Sequence, residues 1–244
     1  MKNTLKIFVL IILVLFIAGC SKVTTNITYK SSGKVKEEVV FDEPNSNVSD
    51  NDSKIEKNLS TIVNKYSLAI KTMKYDYEII KGTNSSKVIF TNTYNDICAW
   101  VRKNMFSQYV YKRVDCTSDG DFYVIKSMTN HIDYCDGCSD WPNLDEVTLN
   151  ITLPIKSIEN NADSVSNYTY TWRFDKYTPK SKSIYLKINK KELDDKVERL
   201  KSKKENKEKI QKSIAYIIMF SIIIVLIVFG FSIFRKYKEN KIEY

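Results

Sequence analysis

The sequence predicts an α+β fold, which is mostly antiparallel sheet with one long and one short helix, followed by a basic helical stalk and a C-terminal transmembrane helix. Three observations predict it. Short segments that alternate apolar and polar residues recur between turn residues, as is typical of strands. One stretch at 55–73 has apolar residues at helical spacing. A run of 21 residues without a charge lies at 214–234.

The body begins with a predicted β-hairpin at 22–41, which turns at Ser31-Ser32-Gly33. A polar loop at 42–53 precedes an amphipathic helix whose apolar residues run from Ile55 to Met73. The remaining elements follow from alternation and from breaks at Gly, Pro and Asn. We expect strands at 75–81, 87–92, 109–115, 121–128, 145–153, 168–175 and 183–189, with a short helix at 94–106.

The N-terminus has the pattern of a bacterial export signal. Lys2 and Lys6 precede an uncharged apolar run of 13 residues, which is too short for a transmembrane helix. The run ends at Ile17-Ala18-Gly19-Cys20, which resembles the lipobox of bacterial lipoproteins. Cys20 is therefore the predicted lipid anchor, because its sulfur is the atom that a diacylglyceryl group alkylates. The alternative is a plain anchor helix with a chance cysteine.

The predicted domains are a lipoprotein signal peptide at 1–19, an extracytoplasmic α+β domain at 20–190, a basic helical stalk at 191–213, a transmembrane helix at 214–234 and a cytoplasmic basic tail at 235–244. This topology places the protein in the bacterial cytoplasmic membrane. Arg235 and Lys236 follow the apolar run and suit a cytoplasmic tail. The stalk contradicts the positive-inside rule, because residues 196–212 hold eight basic and three acidic residues.

The distribution of charge argues against a nucleic-acid-binding body. The net charge is +9, but residues 21–195 hold 24 basic and 24 acidic residues. The surplus lies near the ends. Lys201, Lys203, Lys204 and Lys207 are predicted to contact an anionic surface of lipid headgroups or envelope polymer. The alternative is a solvated helical spacer supported by i,i+4 pairs such as Glu205/Lys209 and Glu208/Lys212.

Four cysteines follow Cys20, and an even number in an exported body favours disulfides. Cys98, Cys116, Cys135 and Cys138 allow three pairings, of which Cys98–Cys116 with Cys135–Cys138 is the simplest. Two alternatives remain open. Cys135 and Cys138 are spaced as a redox pair, although acidic neighbours would raise a thiol pKa. The four cysteines, or three with His131, are also candidate zinc ligands without the usual paired knuckles.

The sequence predicts no catalytic residue, no metal site and no cofactor. His131 is the single histidine, no nucleophile elbow is present, and the six glycines form no phosphate loop. Trp100, Trp141 and Trp172 are expected in the core. The alternative is a pocket wall between sheet and helix that holds an acyl chain.

Three short segments lie between the N-terminal lipobox and the C-terminal membrane helix: Val147–Pro154, Asn161-Ala162-Asp163 and Tyr168–Phe174. Their order resembles that of the LppM family of bacterial membrane-anchored lipoproteins. The resemblance covers most of residues 20–235 and implies an extracytoplasmic α+β domain that handles lipids or envelope components without catalysis. The four body cysteines depart from the family's expected pattern.

The sequence therefore predicts a cell-surface lipoprotein that is not an enzyme and that binds or scaffolds lipid or envelope components. The expected partners are membrane lipids, with anionic envelope polymers as further candidates. No nucleic acid is expected, and the sequence names no protein partner. The alternative function is a membrane-tethered thiol oxidoreductase that uses Cys135 and Cys138.

Overall fold

The computed structural model describes residues 21–44, 52–82, 85–104, 114–127, 144–175, 177–179 and 181–240. The predicted signal peptide, Cys20 and the segment that carries His131, Cys135, Cys138 and Trp141 lie outside the described residues. In chain order the elements are β1 (Ser21–Tyr29), β2 (Val35–Pro44), α1 (Asp52–Lys65), α2 (Ser67–Met73), β3 (Asp76–Lys81), β4 (Ser85–Tyr94), α3 (Ile97–Lys103), β5 (Val114–Asp119), β6 (Phe122–Ser127), β7 (Leu144–Thr152), β8 (Glu159–Asn160), β9 (Ser164–Ser166), β10 (Thr169–Asp175), β11 (Tyr185–Asn189) and α4 (Lys190–Asn240).

The strands form two sheets, and the predicted α+β class is confirmed. One sheet has seven strands in the order β3-β4-β2-β1-β7-β10-β9, and the other has four in the order β5-β6-β11-β8. The β1–β7 pair is parallel, and the other strand pairs among the described residues are antiparallel. A parallel pair needs a long connection, which the chain between these two strands supplies.

The core lies on one face of the seven-stranded sheet, where alternate residues of each strand point inward. On β2 these are Val35, Glu37, Val39 and Phe41, all of them buried. The rings of Phe41, Tyr66 and Phe90 pack with centroids 5.4 to 5.7 Å apart. Burying each such side chain stabilises the fold by about 1.5–3 kcal/mol, so this packing fixes the sheet against α1.

The predicted long helix is two helices, which meet at Tyr66. The Tyr66 amide still donates to the Ile62 carbonyl at 3.2 Å, and its own carbonyl accepts from Ile70 at 2.9 Å. The hydrogen-bond ladder therefore continues through the junction, which explains why the apolar spacing shows no break. α2 ends at Lys74, whose left-handed conformation (φ 57°) turns the chain into β3.

Other boundaries differ from the predicted ones for local reasons. β2 extends to Pro44, and β4 begins at Ser85. These residues belong to the strands because 42–44 of β2 pair with 85–87 of β4. The strands β8 and β9 were missed because they are two and three residues long and fully exposed, so they carry no alternation of burial.

The chain divides into two compact units, 1–197 and 198–244. The first residues of α4 belong to the body, where Leu193 is buried and Val197 packs against the core. This contact explains the short apolar stripe at the start of the predicted stalk. The predicted stalk is helical throughout, and within it Lys204 Nζ lies 3.5 Å from the Glu208 carboxylate.

Candidate functional site

The apolar segment of α4 is the first feature with a functional meaning. Its side chains between Ile214 and Gly230 are exposed, and the helix is long and apolar enough to cross a membrane. At about 1.5 Å per residue, the 21 uncharged residues span roughly 32 Å, the thickness of a hydrocarbon core. Exposed Ile, Val and Phe side chains at this density do not suit water. The chain is therefore membrane-associated.

The predicted anionic-surface lysines lie on the exposed helix that leads to this segment. Lys203, Lys204 and Lys207 fall within about 100° of the helix circumference, and Lys201 lies farther round. Along the axis, Lys207 is about 10 Å and Lys201 about 20 Å from Ile214. Lys209 and Lys212, which the sequence prediction did not include, lie nearer to Ile214 than any of these four lysines.

The two described cysteines form a disulfide between Cys98 and Cys116, with their Cα atoms 5.2 Å apart. The bond ties α3 to β5. α3 is placed by its N-cap, where the Asp96 carboxylate accepts from the Ala99 amide at 2.6 Å. Cysteines bonded to each other cannot act as thiolate ligands, so the four-cysteine zinc alternative is inconsistent with the structure. Cys135 and Cys138 lie outside the described residues.

A buried carboxyl is the most unusual polar feature of the body. Glu37 is 0% exposed, on an inward position of β2. Its Oε2 accepts hydrogen bonds from the hydroxyls of Tyr75 at 2.5 Å and Tyr94 at 2.8 Å. These two hydroxyls are themselves 2.7 Å apart, and the buried Trp100 indole is also close enough to influence the carboxyl, although neither its Nε1 nor Glu37 Oε1 has a hydrogen-bond partner among the described residues. The cluster joins β2, β4, α3 and the start of β3.

Burial raises the pKa of Glu37 above its ordinary value of 4.5, because desolvation outweighs the hydrogen bonds from Tyr75 and Tyr94 and the influence of the nearby Trp100 indole. The pKa values of Tyr75 and Tyr94 are also raised, first by burial and then by the charge of Glu37. Sequence reasoning missed this cluster, although the signal was present: Glu37 follows the inward parity of Val35 and Val39.

Glu37 is too deeply buried to meet a substrate, so the cluster fixes the inner face of the sheet and does not form an active site. Among the described residues, no group of three or more His, Cys, Asp or Glu side chains is placed to hold a metal ion. Trp100 and Trp172 are both 0% exposed in the core, and Trp141 lies outside the described residues.

The segment Asn161-Ala162-Asp163 joins the two sheets. Asn161 Oδ1 accepts from the Trp172 indole and from the Tyr185 amide, each at 2.8 Å. The Asp163 carboxylate accepts from Lys182 Nζ at 2.6 Å and from the Arg173 amide at 2.7 Å. Partial burial alone would raise the pKa of Asp163, but these hydrogen bonds lower it below 3.8. The motif thus links β10 to β11 and to the segment before it through side-chain hydrogen bonds.

The fold and the apolar helix together define a class: a membrane-associated α+β protein with a disulfide-bonded body. Among solved structures, the chain is similar to the folded domain of LppM from Mycobacterium tuberculosis, with 12% identity and a TM-score of 0.43. The match covers 70% of this chain and 90% of that chain. The predicted resemblance is thus confirmed as a distant similarity, which carries no information about a ligand. No protein-family model and no curated protein matches the chain.

Proposed function

We propose that this chain is a bacterial surface lipoprotein that holds a non-catalytic body outside the cytoplasmic membrane. One attachment is an acylated Cys20, and the other is the helix at 214–234. The observation that carries the proposal is the exposed apolar surface of α4, which needs a hydrocarbon solvent. The lipobox-like Ile17-Ala18-Gly19-Cys20 supplies the second attachment.

In this topology the C-terminus is cytoplasmic and the body binds or scaffolds lipid or envelope components. The body's charges are balanced, so a wholly electrostatic partner for it is disfavoured. Lys207, about 10 Å along the helix from Ile214, would instead meet anionic lipid headgroups, with Lys204 and Lys203 farther from the hydrocarbon core.

Labelling cells with a radioactive fatty acid tests the anchor. We expect the wild-type chain to carry the label and Cys20→Ala to lose it while the variant stays in the membrane fraction, because the helix at 214–234 remains. Equal labelling of the two chains would reject the lipid anchor. If the chain without 214–234 carries the label but leaves the membrane, it is still a lipoprotein. In that case the acyl chains on Cys20 alone do not hold it in the membrane.

Protease shaving tests the topology with an epitope tag fused after Tyr244. On intact cells we expect the body to be digested and the tag to survive with the membrane helix. A body that resists digestion in intact cells and is lost only after lysis would reverse the proposed orientation.

A further inference from the structure

The edge strand β3 exposes apolar side chains on both of its faces. Tyr77 is 49% exposed, Ile79 41% and Ile80 42%. All six residues of the strand are exposed, so neither helix nor loop among the described residues covers it. An apolar sheet edge of this kind attracts a partner unless the protein protects it.

The sheet register places the end of this strand level with the N-terminal anchor. Lys22 pairs with Asp42, Asp42 pairs with Lys87, and Lys87 pairs with Ile80. These four residues therefore form one row across β1, β2, β4 and β3. Ile80 lies three strand spacings, about 14 Å, from Lys22, which is two residues after Cys20 in the sequence.

The charges of this row are paired either within it or with the neighbouring strand β7. Lys87 Nζ lies 3.1 Å from the Asp42 carboxylate, and Lys22 Nζ lies 3.9 Å from the Glu146 carboxylate of the neighbouring β7. At this level the sheet edge presents the apolar surface of Ile79 and Ile80, and the exposed Lys81 ends the strand. An apolar strand end followed by a lysine suits the boundary between acyl chains and anionic headgroups.

We propose that Ile79 and Ile80 contact the lipid bilayer beside the acylated Cys20, so that the edge strand rests in the membrane interface. This inference rests on the proposed lipid anchor, which would hold Ser21 within one peptide bond, about 3.8 Å between Cα atoms, of the modified residue. The occupant of the edge is thus the outer leaflet of the same membrane. The contact would fix the tilt of the body relative to the membrane surface.

The opposite edge of the sheet supplies a matched control. Val165 on β9 is 52% exposed and β-branched, like the two isoleucines. Val165 pairs with Tyr170, Tyr170 pairs with Ile151, and Ile151 pairs with Ile27. This row therefore crosses β1 five residues beyond Lys22. Val165 is therefore about 17 Å farther from the anchored end, and we expect it to lie outside the membrane interface.

Photocrosslinking in the full chain tests the contact. Benzoylphenylalanine replaces Ile79, Ile80 or Val165 in separate acylated proteins, each reconstituted into vesicles of phosphatidylglycerol and phosphatidylethanolamine with a radiolabelled lipid. We expect lipid adduct from position 80 or position 79 and only background adduct from position 165. Because all three sites are exposed, the bulky probe is tolerated at each, and the Cys98–Cys116 disulfide confirms folding.

Three results would overturn the contact. Equal lipid adduct at positions 80 and 165 would show random encounter, and adduct to a second copy of the chain would make β3 a self-association edge. Background adduct at both isoleucine positions in a fully acylated chain would reject the inference alone. An absence of acyl mass on Cys20 would reject the proposed lipid anchor as well, so the two failures are distinguishable.

Discussion

The body and the membrane helix place their side chains in opposite ways. In the body, Trp172 and even the carboxyl of Glu37 are withdrawn from water, and the Trp172 indole nitrogen and Glu37 Oε2 have hydrogen-bond partners inside. In α4, the residues from Ile214 to Gly230 turn their apolar side chains outward. The difference shows that the two regions suit different solvents. The body suits water, whereas the outward-facing apolar side chains of α4 are favourable only in lipid.

The largest expected effect is in the body's core. Trp172→Ala removes a fully buried ring and leaves the Asn161 amide without its indole partner. We expect the free energy of unfolding to fall by about 3–5 kcal/mol. Denaturant unfolding of the full chain in detergent micelles measures it. The control Leu68→Ala truncates a side chain that is 66% exposed, and we expect a change within about 0.5 kcal/mol.

The corresponding test in the membrane helix adds a charge to an exposed position. In lipid, an outward-facing charge is expected to oppose insertion. Ile224→Asp puts a carboxylate at the centre of the uncharged run and should cost about 2.5–3.5 kcal/mol of membrane insertion. The fraction of chains inserted, measured by glycosylation or protease protection during translation with microsomes, reports this cost. Ile224→Ala is the control. If both variants insert equally, the segment does not lie in hydrocarbon.

A smaller effect concerns the buried carboxyl. The folded pKa of Glu37 is raised, so the folded state binds the proton more tightly than the unfolded chain does. Stability from this group is then fully present below pH 4.5 and declines as the pH rises through the raised pKa. Each tenfold difference in proton affinity between the folded and unfolded states changes the free energy of unfolding by about 1.4 kcal/mol.

Glu37→Gln removes this titration and keeps the shape. We expect its unfolding free energy to exceed that of the wild type at pH 8 and to approach it at pH 4, measured by urea unfolding at both values. A wild-type advantage that grows with pH would mean that the pKa is lowered. The tyrosine hydrogen bonds are the natural check, and Tyr94→Phe should destabilise both backgrounds.

Sequence patterns identified what depends on nearby residues and missed what depends on distant ones. The hairpin, the strand at 168–175 and the apolar run follow from local alternation and length, and the structure contains each of them. The parallel β1–β7 pair joins residues more than 100 positions apart, and no local pattern encodes it. The inward position of Glu37 follows from local parity, but its cluster was missed because the partners Tyr75 and Tyr94 are 38 and 57 residues away.

The Asn161–Asp163 segment shows the same limit in a different form. Its motif was recognised as part of a family resemblance, but the linking role depends on Lys182 and Tyr185 from the next strand region. Recognising a motif did not reveal what it holds together, because the partner atoms come from elements whose packing the sequence does not state. The predicted lysine contacts have the same limit. The strength of each contact depends on the distance of the lysine from the bilayer, which clustering in the sequence does not give.

The smallest expected effect separates these lysines by that distance. Lys207 lies about 10 Å from the start of the apolar run and Lys201 about 20 Å, while charges in water are screened over roughly 8 Å. Lys207→Gln should therefore weaken binding of anionic lipid by up to about 1 kcal/mol, or roughly fivefold, and Lys201→Gln should have almost no effect. Mass spectrometry of the phosphatidylglycerol retained by the full chain after detergent extraction measures the difference. Equal retention in both variants would favour the solvated spacer, because in that case neither lysine contacts the lipid headgroups.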